Sequence, residues 1–161
     1  MADVTPLEEK LGEVIGLAEA AQEATGKVGS LLDGGSQADL VGELREESEE
    51  TARRGREVAE SRDGDSSGVL EQAEETKEEG VEMMESYLDE DSDGLDGFEF
   101  LTMTEAGEAG HWAILGKLNE KAGESEIGEL VEWALPIQER HLKQVREASL
   151  ELAAEEDPNS E

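Results

Sequence analysis

The sequence contains no cysteine. That excludes a disulfide framework, a thiolate metal site and a cysteine nucleophile. It has no uninterrupted apolar run of about 18 residues, so no transmembrane helix is expected. The opening residues MADVTPLEEK lack a basic segment leading into an apolar one. No secretory signal is expected there, and a cytoplasmic location is the expectation that follows. There is no glycine-rich phosphate loop and no G-x-S-x-G elbow. Basic residues are scarce, with 13 Lys plus Arg against 44 Asp plus Glu for a formal net charge of -31. Such a field repels phosphate backbones and anionic lipid heads, so neither nucleic acid nor a membrane is an expected partner. Histidine is scarce too, occurring only at His111 and His141.

What the chain does have is acid, spread over every segment on the polar faces of amphipathic stretches. An acidic tail would gather the charge at one end, and a disordered chain would lack the apolar stripes. The even spread points to a folded protein adapted to concentrated salt, where a Debye length of about 3 Å at 1 M screens self-repulsion. The length of 161 residues suits one domain, placed at 1–156 with a disordered tail over 157–161.

Apolar residues recur at spacings of three and four, the helix period, and no stretch alternates as a strand does. The first helix is predicted over about 5–32. Thr5, Pro6 and Glu8 make a capping box with proline at the first helical position. Asp33-Gly34-Gly35 stops it. A second follows over about 36–62, with Leu44, Ser48, Thr51 and Gly55 on its inner stripe. The turn-rich run Asp63–Gly68 separates it from a third helix over about 69–88. Asp89–Gly97 is read as a loop, then a fourth helix over about 98–122 and a fifth over about 125–154, with a kink expected near Pro136. Short connections make neighbours antiparallel, so the predicted fold is all-α, an antiparallel bundle of about five helices.

The informative positions are polar residues inside apolar stripes. In the fourth helix Glu108 lies on the core stripe and Glu105 one position off it, with His111 or Trp112 next along. In the fifth, Gln138 and His141 interrupt Ala134 and Val145. Glu108/His111 and Gln138/His141 are each three apart and share a face. A buried carboxylate or imidazole is costly unless it is paired or holds a cation. Imidazole with carboxylate oxygen suits iron, manganese or zinc. Two readings stand side by side. Glu105, Glu108, His111, Gln138 and His141 hold a metal ion, or they form a metal-free network pairing Glu108 with His141 and His111 with Gln138.

The stretch GEAGHWAILGKLNEKAG, followed by LVEWALPIQERHLKQV, resembles the last two helices of ferritin-like proteins. The likeness is to small stress-associated and rubrerythrin-related members in particular. The resemblance implies a four-helix core with a metal site, iron in the first instance, a stress-related or redox role and a dimer. By it, Glu105 or Glu108 corresponds to the carboxylate of the third bundle helix, and Gln138 and His141 to the Glu-x-x-His of the fourth. The pattern departs in two places. Gln replaces Glu at 138, and the second helix offers Glu49, Glu50 and Arg53 with no histidine. A reduced or vestigial site is therefore expected, with Arg53 standing in for a metal cation. With no substrate pocket to name, catalytic turnover is not expected. The alternative is a non-catalytic helical scaffold or interaction protein, adapted to high salt, that self-associates as a homo-oligomer or binds a partner.

Two weaker signals complete the reading. Asp89-x-Asp91-x-Asp93-Gly94 opens like a calcium loop, but its twelfth position is Phe100 where a bidentate Glu is needed, so an acidic linker is expected. Met83 and Met84 are expected to fill gaps in the core.

Overall fold

The computed structural model describes residues 3–161. Five helices follow in order, α1 (Pro6–Ser30), α2 (Ser36–Ser61), α3 (Ser66–Tyr87), α4 (Gly94–Ala122) and α5 (Ser125–Glu155), with no strand among the described residues. The fold is all-α, as its periodicity predicts. The N-terminal box of α1 forms as expected. Thr5 Oγ1 accepts from the Glu8 amide at 3.2 Å, and Glu8 Oε2 accepts from the Thr5 amide at 2.9 Å.

Two helices begin earlier than the sequence suggests. Asp65 caps α3 by accepting from the Gly68 amide at 3.0 Å, which draws Ser66–Gly68 into the helix. Asp93 and Asp96 form a second capping box, each side chain accepting from the other's amide. The expected loop through Gly97 therefore ends at Asp93. That cap also occupies Asp93, while Asp89 accepts from the Asp91 amide at 2.9 Å. The first and third acids of the calcium-like run are thus spent on local turns. Helix α5 continues through Pro136, which lies on its exposed side.

Helices α1, α2, α5 and α4 close a four-membered ring, each packed against its neighbours in that order. The fifth, α3, lies outside the ring against α1. Glycine makes that contact close. A Cβ at Gly12 would stand 2.6 Å from the Val69 carbonyl oxygen, and one at Gly16 would stand 2.3 Å from that of Ala73. Only hydrogen fits there.

At one end of the ring Arg62 ties four segments together. Its guanidinium donates to Glu8 at 3.0 Å and to both oxygens of Glu124 at 2.9 and 2.8 Å. Glu8 also accepts from the Asp65 amide at 3.2 Å. This anchors the start of α1, the end of α2, the cap of α3 and the turn before α5.

The interior divides into two apolar clusters. One gathers Leu11, Val14, Ile15, Trp112, Leu115, Ile127 and Ala134. The other gathers Val28, Leu44, Phe98, Leu101 and Val145. Between them every ring helix changes character. α1 presents Ala18, Ala21 and Thr25, α2 presents Ser48 and Thr51, α4 presents Glu105 and Glu108, and α5 presents Gln138 and His141, all buried. This polar layer sits at mid-height, walled off above and below by hydrocarbon.

Candidate functional site

The layer follows from helix geometry. On α4 the buried positions run Leu101, Glu105, Glu108, Trp112 and Leu115, steps of four, three, four and three that trace one face. On α5 they run Ala134, Gln138, His141, Val145 and Ala148 in the same rhythm. The α4–α5 turn sets the register between the two faces. Gly123 takes φ 69° after α4, a left-handed conformation that glycine adopts without strain. Asn119 fastens the turn, donating to the Glu124 carbonyl at 2.9 Å and accepting from its amide at 3.2 Å. The antiparallel pairing that results sets Glu105 against His141 and Glu108 near Gln138.

His141 is fully buried between two carboxylates. Its Nδ1 is 3.4 Å from Glu105 Oε2, and its Nε2 is 3.4 Å from Glu47 Oε1 on α2. Burial pushes the Glu47 carboxyl upward, but the hydrogen bond from Arg140, the charge of His141 and that of Arg140 outweigh it and leave its pKa lowered. Arg140 reaches Glu47 from the exposed face of α5, so the layer is closed on that side by a guanidinium. Glu108 behaves oppositely. Burial drives its carboxyl well above the ordinary range, the Glu105 charge adds to the rise, and the Gln138 amide, close by but not aligned as a hydrogen bond, only partly offsets it.

The layer is under-bonded. Both Glu105 oxygens, Glu108 Oε2, both polar atoms of the Gln138 amide, His141 Nδ1 and Ser48 Oγ are buried without a hydrogen-bond partner. A folded interior normally satisfies almost all such atoms, so a cluster left over in one place calls for a partner such as an ion or bound water.

Sequence reasoning places four of its five candidate residues here, namely Glu105, Glu108, Gln138 and His141. The structure puts His111 elsewhere. Trp112 takes the inward position, and His111 turns to the partly exposed groove between α1 and α4. There its Nδ1 donates to the Gly107 carbonyl at 2.8 Å and its Nε2 lies 3.6 Å from Glu13. Neither pairing expected of a metal-free network forms, since His141 faces Glu105 rather than Glu108 and His111 faces Glu13 on α1 rather than Gln138. Arg53 is likewise outside. It is exposed and pairs with Glu50 and Glu57 on the outer face of α2. The cation at the layer is Arg140, and the α2 carboxylate is Glu47, which no spacing in the sequence singles out.

Chemically, the orphaned set offers carboxylate oxygen, amide oxygen and imidazole nitrogen from two adjacent helices, a donor set that fits a borderline or hard divalent ion. Among the described residues no three His, Asp or Glu side chains already converge as a ligand group. Glu105 and His141 meet as a pair, and Glu108 joins them only by turning from Gln138. No protein-family model matches the chain, and no curated protein or solved structure matches it.

Proposed function

We propose that this chain is a metal-binding helical bundle of ferritin-like kind that takes one divalent transition ion, iron or else manganese or zinc, in its central layer. Glu105, Glu108 and His141 would be the ligands, with the Gln138 carbonyl oxygen as a weaker fourth. The observation that supports this most is the cluster of unpartnered buried donor atoms on Glu105, Glu108, Gln138 and His141, since a cation would satisfy several of them together. Glu47 would act from behind, accepting from the far nitrogen of His141 and so fixing which nitrogen faces the ion. A bound iron or manganese ion would supply one-electron chemistry, consistent with the redox or stress-related role that the ferritin resemblance implies.

The test is uptake of Fe(II), Mn(II) and Zn(II), each followed by calorimetry in molar salt so that surface carboxylates are screened. One equivalent is expected. His141→Ala should abolish it, whereas His111→Ala should leave it intact. Uptake indifferent to both substitutions would overturn the assignment.

A second reading, a scaffold that pairs with another copy of itself, draws on exposed apolar side chains at Met83, Tyr87, Met103, Ile114 and Leu150. It predicts a dimer by light scattering that weakens when Ile114 and Leu150 become polar.

A further inference from the structure

The polar layer has an approach from outside. α3 and α4 both lie on α1 without packing closely on one another, and a groove of about 250 Å³ runs between them. Small residues hollow it out, with Ala20, Ala21 and Ala24 on its floor, Gly80 on the α3 side and Gly107 on the α4 side. Met83, Phe100 and Met103 give it apolar walls, and Met83 and Met103 are about half exposed at its rim. The expectation that Met83 fills a core gap is thereby corrected, because only Met84 packs inward. At the inner end of this hydrocarbon slot stands the Glu108 carboxyl, 2% exposed, with Oε2 unpartnered.

We infer that the groove is a binding site for a small amphiphile whose head donates a hydrogen bond to Glu108 and carries no negative charge. The volume falls below the roughly 300 Å³ at which drug-sized sites begin, which limits the body to a short chain or a single ring. The flexible thioether walls of Met83 and Met103 suit an apolar body of irregular shape. Glu108 is the one carboxyl among the lining residues, and the formal charge of -31 over the chain repels an anionic head, leaving alcohols and amines. The site shares Glu108 with the proposed metal layer but needs no ion.

The probes are 1-octanol, 1-octylamine and octanoate, titrated into the full chain after chelator treatment and again with Mn(II) present. Saturable one-to-one binding of the alcohol or the amine is expected, with octanoate at least about tenfold weaker, the change that one hydrogen bond to a buried group brings. The alcohol and amine arms distinguish a neutral head from a cationic one. Gly107→Leu should abolish binding with the fold intact, since a Cβ there meets nothing within 4 Å and the side chain enters the groove. Glu108→Leu should erase the preference over octanoate. Binding unchanged by Gly107→Leu, or absent for all three probes, would overturn the inference. So would a dimer that Gly107→Leu dissociates, because the groove would then belong to a second copy. Amphiphile binding without metal uptake would remove only the metal reading, and metal uptake without amphiphile binding only this one.

Discussion

Nδ1 of His141 lies 3.4 Å from Oε2 of Glu105, yet both atoms lack a hydrogen-bond partner. The side chains approach across α4 and α5 without the alignment that would satisfy either of them, and both are fully buried. Such proximity without bonding holds two potential ligands near one point while leaving their lone pairs free. It also means that the layer weakens the metal-free fold.

Glu105→Leu should therefore leave metal-free protein as stable as the parent or more so. A buried polar group without partners costs about 1–3 kcal/mol, and an apolar side chain of similar size relieves that. Urea unfolding in chelator measures the difference. A clear loss of stability would make Glu105 a structural partner of His141 instead.

Arg62→Met should be among the most damaging single changes outside the core. It strands Glu8 and Glu124, whose only basic partner among the described residues is that guanidinium, and breaking a buried ion pair costs about 3 kcal/mol or more. The melting temperature should fall by several degrees, whereas Arg53→Met on the exposed face should move it little.

Glu8 gives the fold a dependence on acid. The Thr5 backbone amide first, then Arg62, the Asp65 amide and the Thr5 hydroxyl, against some opposition from burial, lower its pKa from 4.5 to about 2. A carboxyl held below its unfolded value contributes stability that is fully present above pH 4.5 and is lost as pH falls toward 2. The stability gap between the parent and Glu8→Gln should be constant near neutrality and close across that window. A gap that persists at pH 2 would contradict the assignment.

Two glycine substitutions should have opposite signs. Gly16→Ala drives a methyl into the Ala73 carbonyl on α3, an overpacking that costs about 1–3 kcal/mol. Gly42→Ala on the open face of α2 meets nothing within 4 Å and should gain up to about 1 kcal/mol of helix propensity. Thermal unfolding of the pair reads both signs.

The helices were legible because the apolar period runs almost unbroken along each of them, and Glu108, Gln138 and His141 were legible as interruptions of that period, whereas Glu105, expected one position off the stripe, lies buried on it. His111 was misplaced because it and Trp112 are adjacent on the same stripe. Periodicity does not choose between neighbours, and the larger apolar ring wins the interior. Glu47 carries no signal, since it borders the α2 stripe and becomes part of the layer only when α5 packs beside it. The start of α4 was hidden by its own cap, because Asp93-Gly94-Leu95-Asp96-Gly97 has the composition of a turn while forming a capping box. The groove was invisible for a different reason. It exists only because α3 sits outside the ring, and nothing in one helix's period says which neighbour it will choose.

That placement of α3 has a mechanical consequence. Its buried positions are few, Gly68, Val69, Ala73 and Thr76, and its seam runs mainly along one partner, while the ring closes without it. Segments with little buried area open at less free energy than the molecule as a whole. In native-state hydrogen exchange, the amides of α3 should form the earliest cooperative unit to lose protection, detaching like an outrigger while the hull of four helices stays shut around His141.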